Sequence, residues 1–368
     1  MRNHWCRCAP FSTHIMRTIC YVAALCLLAA CGIGSTTPAG APINTPAPFA
    51  APVTAAPTSR SDGLSDDEVR TLTSLAEVDD YPLYTMHYYG AYNLRMSSIE
   101  QSTDSAWACS LFAALGDTSN LLYGRNFDWD YSPALLVFTA LPDGYATVSM
   151  VDIAYLGFAG DRATRLLDLP LTERRALLNA PSIPFDGMNE RGLVVGMAAV
   201  PPGQMRPSPA KPTIGSLGVI RRMLDRAGTV DEAVTIMQSY NVDFEGGPPI
   251  HYLIADRSGR AVLVEFYQDK MVIIPNESPW HLATNFLRTS VESADGQCWR
   301  YDAISQRLAE TRGRLTTQEA IALLERVSQK NTQWSIVYGL STGDVAVTMG
   351  RQYGKMHTVS LRGLKIAP

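Results

Sequence analysis

Residues 109–129 read Cys-Ser-Leu-Phe-Ala-Ala-Leu-Gly-Asp-Thr-Ser-Asn-Leu-Leu-Tyr-Gly-Arg-Asn-Phe-Asp-Trp. The first part of this stretch is apolar or small and predicts a buried strand, and the last part predicts its antiparallel partner. The segment between them, Gly-Asp-Thr-Ser-Asn, is typical of a turn. Because Leu115 and Leu121 flank that turn, their pairing places Cys109 opposite Phe127, to within a residue or two.

This hairpin brings reactive side chains together. Arg125 and Asp128 lie on the second strand, close to Cys109 on the first. A cationic neighbour lowers the pKa of a thiol and favours the thiolate, which is the nucleophilic form. These residues alone leave two interpretations open, a nucleophilic cysteine or a buried structural cysteine beside an ion pair.

Outside the hairpin, short apolar strands alternate with pairs of helices. Strands are predicted at residues 145–153, 192–200, 251–255, 261–266, 271–274, 281–285, 334–338, 345–349 and 357–361, and helices at 65–78, 214–227, 230–240, 299–311 and 317–328. Irregular structure or loops are expected at residues 82–96, 130–145, 155–183 and 201–213. The pattern predicts a layered α+β fold with mostly antiparallel strands.

The N-terminus has the pattern of a targeting segment. Residues 1–30 carry three arginines and no acidic residue. The apolar run from Ile19 to Ala30 is too short for an ordinary transmembrane helix but has the length of a signal-peptide core. It leads into Leu28-Ala-Ala-Cys31, which resembles the bacterial lipobox, so we expect a lipoprotein signal peptide over 1–30 and lipidation of Cys31. An uncleaved apolar anchor is the alternative, and translation from Met1 or from Met16 stays open.

The rest of the chain divides into three parts. Residues 31–63 are rich in Pro, Ala and Thr and predict a semi-extended tether. Residues 64–108 follow as a propeptide-like segment, and 109–368 form the expected catalytic domain. This order predicts an extracytoplasmic domain anchored in a bacterial cell envelope. Besides the lipidated residue, the mature chain has two cysteines, so it can form at most one disulfide, and Cys298 is interpreted as a small buried residue.

Charge and motif content exclude several classes of function. The chain has 31 basic and 35 acidic residues, a net charge of −4 and no basic stripe, so a nucleic-acid partner is not expected. The mature sequence has no His-Glu-x-x-His motif, no pair of Cys-x-x-Cys motifs and no glycine-rich phosphate loop. We therefore expect neither a metal nor a cofactor. The oligomeric state stays open.

The residues before Cys109 indicate how it becomes a nucleophile. Ser105-Ala-Trp-Ala108 places small residues ahead of a cysteine that begins a strand. Cleavage between Ala108 and Cys109 would make Cys109 the N-terminal residue of the new chain. Its α-amine, with an ordinary pKa of ~7.7–8.0, can then act as general base for its own thiol. Asp128 is the candidate acceptor that orients this amine.

These residues belong to a longer series of motifs. The series continues from Cys109 through Gly124-Arg-Asn-Phe-Asp-Trp129, Phe185-Asp-Gly-Met-Asn-Glu-Arg-Gly-Leu193 and Ala283-Thr-Asn-Phe286. In this order and spacing it resembles the choloylglycine hydrolase superfamily, whose members are N-terminal nucleophile enzymes that cleave linear amides. Segments at 82–92, 247–255, 298–301 and 332–337 look most like the isopenicillin N acyltransferase and carcinine hydrolase branch.

The resemblance implies a four-layer αββα sandwich of the N-terminal nucleophile hydrolase type. It also assigns catalytic roles to residues in the motifs: nucleophile for Cys109, assistance to thiol ionisation for Arg125, binding of the α-amine for Asp128, an oxyanion-hole donor for Asn189, orientation of the amine for Asn285, and completion of the charge network for Arg300, for which Arg288 is a possible substitute. Removing one oxyanion donor typically slows acyl transfer ~100- to 1000-fold.

The expected function is hydrolysis of a linear amide C–N bond through an acyl-enzyme on Cys109. One alternative is an acyltransferase, in which a second amine intercepts the acyl group, and another is a solute-binding lipoprotein without catalysis. A papain-like dyad of Cys109 with His251 or His281 is less favoured, because the papain-type signature is missing. The expected partners are a small-molecule amide and, through Cys31, a membrane. Peptide-like N-acyl amides, β-lactam side chains and lipid amides stay open as substrates.

Overall fold

The computed structural model describes residues 63–92, 108–201, 206–244 and 247–361. The predicted signal peptide, lipidation site and nearly all of the predicted tether lie outside these residues. Within the described part of the chain, no helix is both long and apolar enough to cross a membrane.

Helices and strands follow one another in a mixed order. The α-helices are α1 (Asp66–Thr73), α2 (Asp161–Thr164), α3 (Ser216–Arg226), α4 (Val230–Gln238), α5 (Trp299–Thr311) and α6 (Thr317–Arg326). The strands are β1 (Ala76–Asp79), β2 (Leu83–Tyr88), β3 (Ala108–Ala114), β4 (Leu122–Asp128), β5 (Ala134–Ala140), β6 (Ala146–Asp152), β7 (Asp186–Asn189), β8 (Val194–Ala199), β9 (Thr213–Gly215), β10 (Asn241–Asp243), β11 (Ile250–Ala255), β12 (Ala261–Tyr267), β13 (Lys270–Pro275), β14 (Trp280–Ala283), β15 (Thr332–Gly339), β16 (Asp344–Met349) and β17 (His357–Ser360). Short 3-10 helices lie at Ile153–Leu156, Leu166–Asp168, Arg175–Ser182 and Arg288–Ser290.

Two large sheets carry the fold. One has nine strands in the order β1-β2-β5-β6-β7-β8-β11-β12-β13, and the other has six in the order β14-β3-β4-β15-β16-β17. Neighbouring strands within both sheets are antiparallel except β2 and β5, which are parallel. The small pair β9 and β10 is also parallel. The prediction of mostly antiparallel strands is therefore confirmed.

Alternation along β3 shows how the layers are stacked. Cys109, Leu111 and Ala113 belong to the large core that includes the nine-stranded sheet, whereas Phe112 and Ala114 belong to a second core with α5 and α6. Because successive strand residues point to opposite faces, the six-stranded sheet has the other sheet on one face and helices on its other face. We call the face toward the nine-stranded sheet the inner face and the face toward α5 and α6 the helix face.

The opposite side of the molecule completes the sandwich. Helices α3 and α4 pack on the nine-stranded sheet through β7, β8 and β11, and buried residues such as Ile220 and Leu224 join its core. Thr229 caps α4 by accepting a hydrogen bond from the backbone N–H of Glu232. The order helix, sheet, sheet, helix is the predicted four-layer αββα sandwich.

Several local predictions near the N-terminal end were wrong. Helix α1 begins with a capping box of Ser65 and Glu68, but it ends at Thr73 and does not reach residue 78, because the following residues form β1. Residues 82–96, expected to be irregular, contain β2, and residues 130–145, expected to be a loop, contain β5. These strands exist because they pair with each other and with β6, which a local pattern does not show.

The described part of the propeptide-like segment contributes to the same core as the rest of the fold. Leu83, Tyr84 and Met86 of β2 are buried, and β2 pairs in parallel with β5. The Tyr84 hydroxyl donates a hydrogen bond to the carbonyl of Ala163. Residues 64–92 are therefore built into the sandwich on the N-terminal side of the predicted cleavage site.

Candidate active site

The Cys109 thiol lies between the two sheets. Cys109 is the second residue of β3 and faces Phe127 on β4, so the register predicted from the turn is confirmed. Its side chain is on the inner face and is fully buried. On its other edge β3 pairs with β14, where Leu111 lies opposite Ala283. Continuing this antiparallel register by two residues places Asn285 next to Cys109.

Arg125 is held beside the thiol by partners on the nine-stranded sheet and on β15. Its Nη2 lies 3.8 Å from Cys109 Sγ, while its Nη1 donates to the carbonyl of Phe185 at 2.7 Å and to the carboxylate of Asp186. The hydroxyl of Tyr338 donates to the second oxygen of Asp186. Arg125 and Asp186 are both fully buried. The ion pair therefore fixes one end of the guanidinium and leaves the other end facing sulfur.

Burial nevertheless raises the pKa of the Cys109 thiol. Arg125 lowers that pKa, as does a hydrogen bond from the backbone of Asp128, but the cost of burying a thiolate outweighs both. Arg125 therefore acts on the thiol in the predicted direction, but in the intact chain burial has the larger effect. In that state the thiol is protonated, and its ionisation requires a base.

The backbone nitrogen of Cys109 also lies in a specific polar site. It donates to Asn285 Oδ1 at 2.7 Å, and Asn285 Nδ2 donates to the carbonyl of Ala199 at 2.7 Å. Ala199 ends β8 in the nine-stranded sheet. Asn285 therefore links the two sheets beside Cys109, and its Oδ1 accepts a hydrogen bond from the nitrogen that the predicted cleavage would release.

Asp128 contributes a fully buried carboxylate to the cluster. It lies opposite Ala108 in the β3–β4 pair. Its Oδ1 accepts a hydrogen bond from Thr332, and its Oδ2 is buried without a hydrogen-bond partner among the described residues. Burial raises the pKa of Asp128 to about 6, while Arg300, 3.7 Å away, acts in the opposite direction. Oδ2 is the oxygen that faces Arg300, and Asp128 pairs with the residue immediately before Cys109.

Arg300 connects these groups from α5. Its Nη1 donates to Ser110 Oγ at 2.8 Å and to the carbonyl of Cys109, and its Nη2 donates to Asn285 Oδ1 at 2.9 Å. The guanidinium is fully buried. The substitute considered for it, Arg288, donates instead to the hydroxyl of Tyr301. The structure therefore places Arg300, and not Arg288, in the cluster.

Asn189 is not brought to the thiol. Its Nδ2 donates to the carbonyls of Leu224 and Ala227 at 2.9 and 2.6 Å, and its Oδ1 accepts from the backbone N–H groups of Arg191 and Leu193. With both amide hydrogens already donated, Asn189 has no donor left for an oxyanion. It instead joins the turn after β7 to the end of α3, which corrects the role that the resemblance implied.

Several side chains that hold the cluster in place are not predicted from the sequence. Asp186 lies in the same motif as Asn189, and Thr332 is the first residue of the motif segment 332–337. The motifs could therefore have identified both residues. Tyr338 and Ser110 carried no signal beyond their strand positions. Their contacts depend on which residues of distant strands face each other.

Neither alternative histidine contacts the thiol. His251 Nδ1 lies 3.2 Å from Glu265 Oε1, and His281 Nε2 lies 2.9 Å from the carbonyl of Ile274. Burial lowers the pKa of His281 to about 4, so that ring is neutral at pH 7. Cys298 is buried, and both cysteines of the described region are free thiols.

Comparisons with known proteins identify a family and solved structures that this chain resembles. Residues 109–286 match the model of a family described as linear amide C-N hydrolases, choloylglycine hydrolase family. A mutant of the conjugated bile acid hydrolase from Clostridium perfringens matches with a TM-score of 0.50 at 14% identity, covering 68% of this chain and 92% of that chain. This likeness shows that the αββα sandwich is the N-terminal nucleophile hydrolase fold.

Two further solved structures match at lower TM-scores. Penicillin V acylase from Agrobacterium tumefaciens matches at 0.48 with 15% identity, covering 68% of this chain and 86% of that chain. A Caenorhabditis elegans ortholog of N-acylethanolamine-hydrolyzing acid amidase matches at 0.43 with 15% identity, covering 63% of this chain and 93% of that chain. No curated protein matches the sequence.

Proposed function

We propose that this chain, whose residues 109–286 match the choloylglycine hydrolase family of linear amide C-N hydrolases, uses Cys109 as its nucleophile, released by cleavage after Ala108. The observation that carries the proposal is the setting of the Cys109 nitrogen. A backbone amide has one hydrogen to donate, and Asn285 Oδ1 already accepts it. A protonated α-amine has three, and the proposed further acceptor is Asp128 Oδ2, which accepts no hydrogen bond from the described residues and faces Arg300 Nη1 at 3.7 Å.

The proposed cleavage is an acyl shift followed by hydrolysis. Cys109 Sγ forms a bond to the carbonyl carbon of Ala108 while the Ala108–Cys109 C–N bond breaks, and the thiol proton goes to the departing nitrogen. Water then attacks the thioester, which releases the Ala108 carboxylate and regenerates the thiol. Arg125 stabilises negative charge on sulfur from 3.8 Å.

The same groups then serve substrate turnover. The free α-amine takes the proton from Sγ, and the thiolate attacks the carbonyl of a linear amide. The C–N bond breaks as the α-ammonium returns a proton to the leaving amine, and water hydrolyses the acyl-enzyme. Asp128 and Asn285 hold the amine within reach of sulfur. Asn189 is not assigned the oxyanion, because its donors are occupied.

The mass of the chain after expression tests the proposal. Wild type should yield a fragment whose first residue is Cys109, whereas Cys109→Ala should remain one chain. Cleaved wild type should release amine from members of a panel of N-acyl amides that differ in acyl length, and Cys109→Ala should not. Uncleaved chains in both proteins, without amine release, would support a solute-binding protein instead.

We also propose that the catalytic domain is carried outside the cytoplasm by a lipid on Cys31. The support is the order of segments in the sequence, an apolar run ending in Leu-Ala-Ala-Cys followed by a Pro- and Ala-rich stretch. In a bacterial host that exports lipoproteins, the full chain should sediment with membranes, and Cys31→Ala should not. Equal membrane association of both would contradict lipidation at this residue.

A further inference from the structure

A buried acid–base pair lies on the nine-stranded sheet outside the proposed chemistry. Glu265 on β12 is fully buried, and His251 on β11 is nearly so. Continuing the register from Tyr252 and Val264 places the two residues opposite each other, with His251 Nδ1 and Glu265 Oε1 separated by 3.2 Å. An ionised carboxylate only accepts hydrogen bonds, so Nδ1 is the donor. A buried carboxylate is costly unless its oxygens are bonded.

The remaining bonds of Glu265 go to one short segment. Its Oε1 accepts from the backbone N–H of Arg288 at 2.8 Å, and its Oε2 accepts from the backbone N–H of Thr289 at 2.8 Å and from the Thr289 hydroxyl. These two residues begin the 3-10 turn Arg288–Ser290. The hydrogen bonds to His251 and Thr289 lower the pKa of Glu265 although burial raises it, so the carboxylate is ionised.

This segment follows directly after Asn285. Only Phe286 and Leu287 separate Asn285 from the first residue that Glu265 holds, and both are buried. Asn285 lies past the end of β14, so its position depends on the loop as well as on the strand. A displacement of about 1 Å in a catalytic group can cost ~100-fold in rate.

We propose that the pair of Glu265 and His251 positions the loop that carries Asn285, and thereby holds Asn285 Oδ1 against the Cys109 nitrogen. Glu265 grips the two backbone N–H groups after Asn285, and His251 completes the bonding of the buried carboxylate. The pair acts through Asn285 and does not touch the reacting atoms. This inference rests on the proposed function of Cys109.

The experiment compares cleavage of the full chain after brief expression, for Glu265→Gln and wild type. Glutamine offers one oxygen where glutamate offers two, so it leaves one of the two loop N–H groups without an acceptor. Cleavage before Cys109 should slow at least ~10-fold. The matched control is Asp256→Asn at the other end of the same hairpin, where a buried carboxylate accepts from the backbone N–H groups of Val230 and Ser258. This control should cleave at the wild-type rate.

A second measurement separates positioning from loss of folding. Iodoacetamide alkylation of Cys109 is followed against pH in the cleaved proteins, with Cys298→Ser throughout. Arg125, Asp128 and Arg300, the charged groups around Cys109 and its nitrogen, are present in every variant. If Asn285 is displaced, its Oδ1 stabilises the protonated α-amine less, and that ammonium in turn stabilises the thiolate less. The midpoint of the alkylation curve should therefore move to higher pH in Glu265→Gln and stay at the wild-type value in Asp256→Asn.

If Glu265→Gln fails to fold, His251 decides the question. His251→Leu removes the donor to Glu265 and should slow cleavage, whereas His251→Asn, whose amide can donate from near the Nδ1 position, should restore most of the rate. Wild-type rates and midpoints in Glu265→Gln or in His251→Leu would overturn the positioning role. An uncleaved wild type would instead overturn the proposed function itself.

Discussion

At the scale of single residues, the buried Asp128 carboxyl makes the stability of the uncleaved chain depend on pH. In the intact chain burial raises its pKa to about 6, while a carboxyl in an unfolded chain titrates at ~3.9. The folded state therefore binds more protons than the unfolded state between these values, and its stability falls as the pH rises through about 6. At pH 7 the ionised carboxylate costs about 3 kcal/mol.

Asp128→Asn should therefore stabilise the uncleaved chain at neutral pH. When it is combined with Cys109→Ala, which prevents cleavage, Asp128→Asn should raise the free energy of unfolding by about 1–3 kcal/mol at pH 7 and change it little near pH 4. Urea unfolding at the two pH values measures the difference. Destabilisation at pH 7 would show that the ion pair with Arg300 outweighs burial. In the Cys109 protein, the same substitution should abolish activity, because the α-amine loses its acceptor.

Asp186 neutralises the guanidinium beside the thiol. Both groups are fully buried, so Asp186→Asn leaves the charge of Arg125 without its partner. We expect a loss of about 3–5 kcal/mol in the free energy of unfolding. Tyr338→Phe, which removes only the hydroxyl that donates to Asp186, should cost about 1–2 kcal/mol. Chemical unfolding measures both, and equal losses in the two variants would contradict the electrostatic explanation.

At the scale of elements, the contact between β3 and β4 requires a glycine. Gly124 lies opposite Phe112, and a Cβ at Gly124 would come within 2.4 Å of the Phe112 ring. The two strands carry Cys109 and Arg125, so this close contact lies within the hairpin that builds the site. Any larger residue must push the ring toward α5 and α6.

Gly124→Ala should destabilise the protein by about 1–3 kcal/mol through overpacking. Thermal or chemical unfolding gives the value. Gly354→Ala, where a Cβ meets nothing within 4 Å, is the control and should stay within about 0.5 kcal/mol of wild type. Adding Phe112→Leu should recover part of the loss, and failure to do so would show that the strain lies elsewhere.

At the scale of the whole molecule, the segment before the cleavage site is a structural part of the sandwich. Strand β2 pairs with β5, and Asp79 at the end of β1 binds Lys355 at 3.0 Å and His357 on β17. Although burial raises the pKa of Asp79, the hydrogen bonds from His357, the Tyr81 N–H and Lys355 lower it to about 2. The proposed cleavage before Cys109 would therefore leave two fragments with a shared core.

We expect the two fragments to stay together after cleavage. They should co-elute in size-exclusion chromatography at pH 7 and separate only in denaturant. A carboxyl with a lowered folded-state pKa stabilises above its unfolded value of ~3.9 and loses that effect as the pH falls toward 2, so acid should weaken the association over this range. Asp79→Asn should weaken it at neutral pH. Separate elution at pH 7 would mean that the segment is a dispensable propeptide.

Local sequence patterns determined the register of the β3–β4 hairpin and the positions of several helices. The apolar runs around the turn at residues 116–120 placed Cys109 opposite Phe127, because alternation and turn length set the register of a hairpin. The helices near residues 299–311 and 317–328 also followed from their periodicity. Strands β2 and β5 did not, because their parallel pairing joins segments that carry no turn signal between them.

Only the tertiary structure decided which polar residues form the site. Thr332 binds Asp128 from 204 residues away, and Arg300 reaches Ser110 from 190 residues away. Asn189 lies in a motif, but its side-chain amide donates to the carbonyls of Leu224 in α3 and of Ala227 just after that helix. A sequence pattern determines which face of a strand a residue occupies. Which distant side chain meets it there depends on how sheets and helices pack, and that is a property of the folded chain alone.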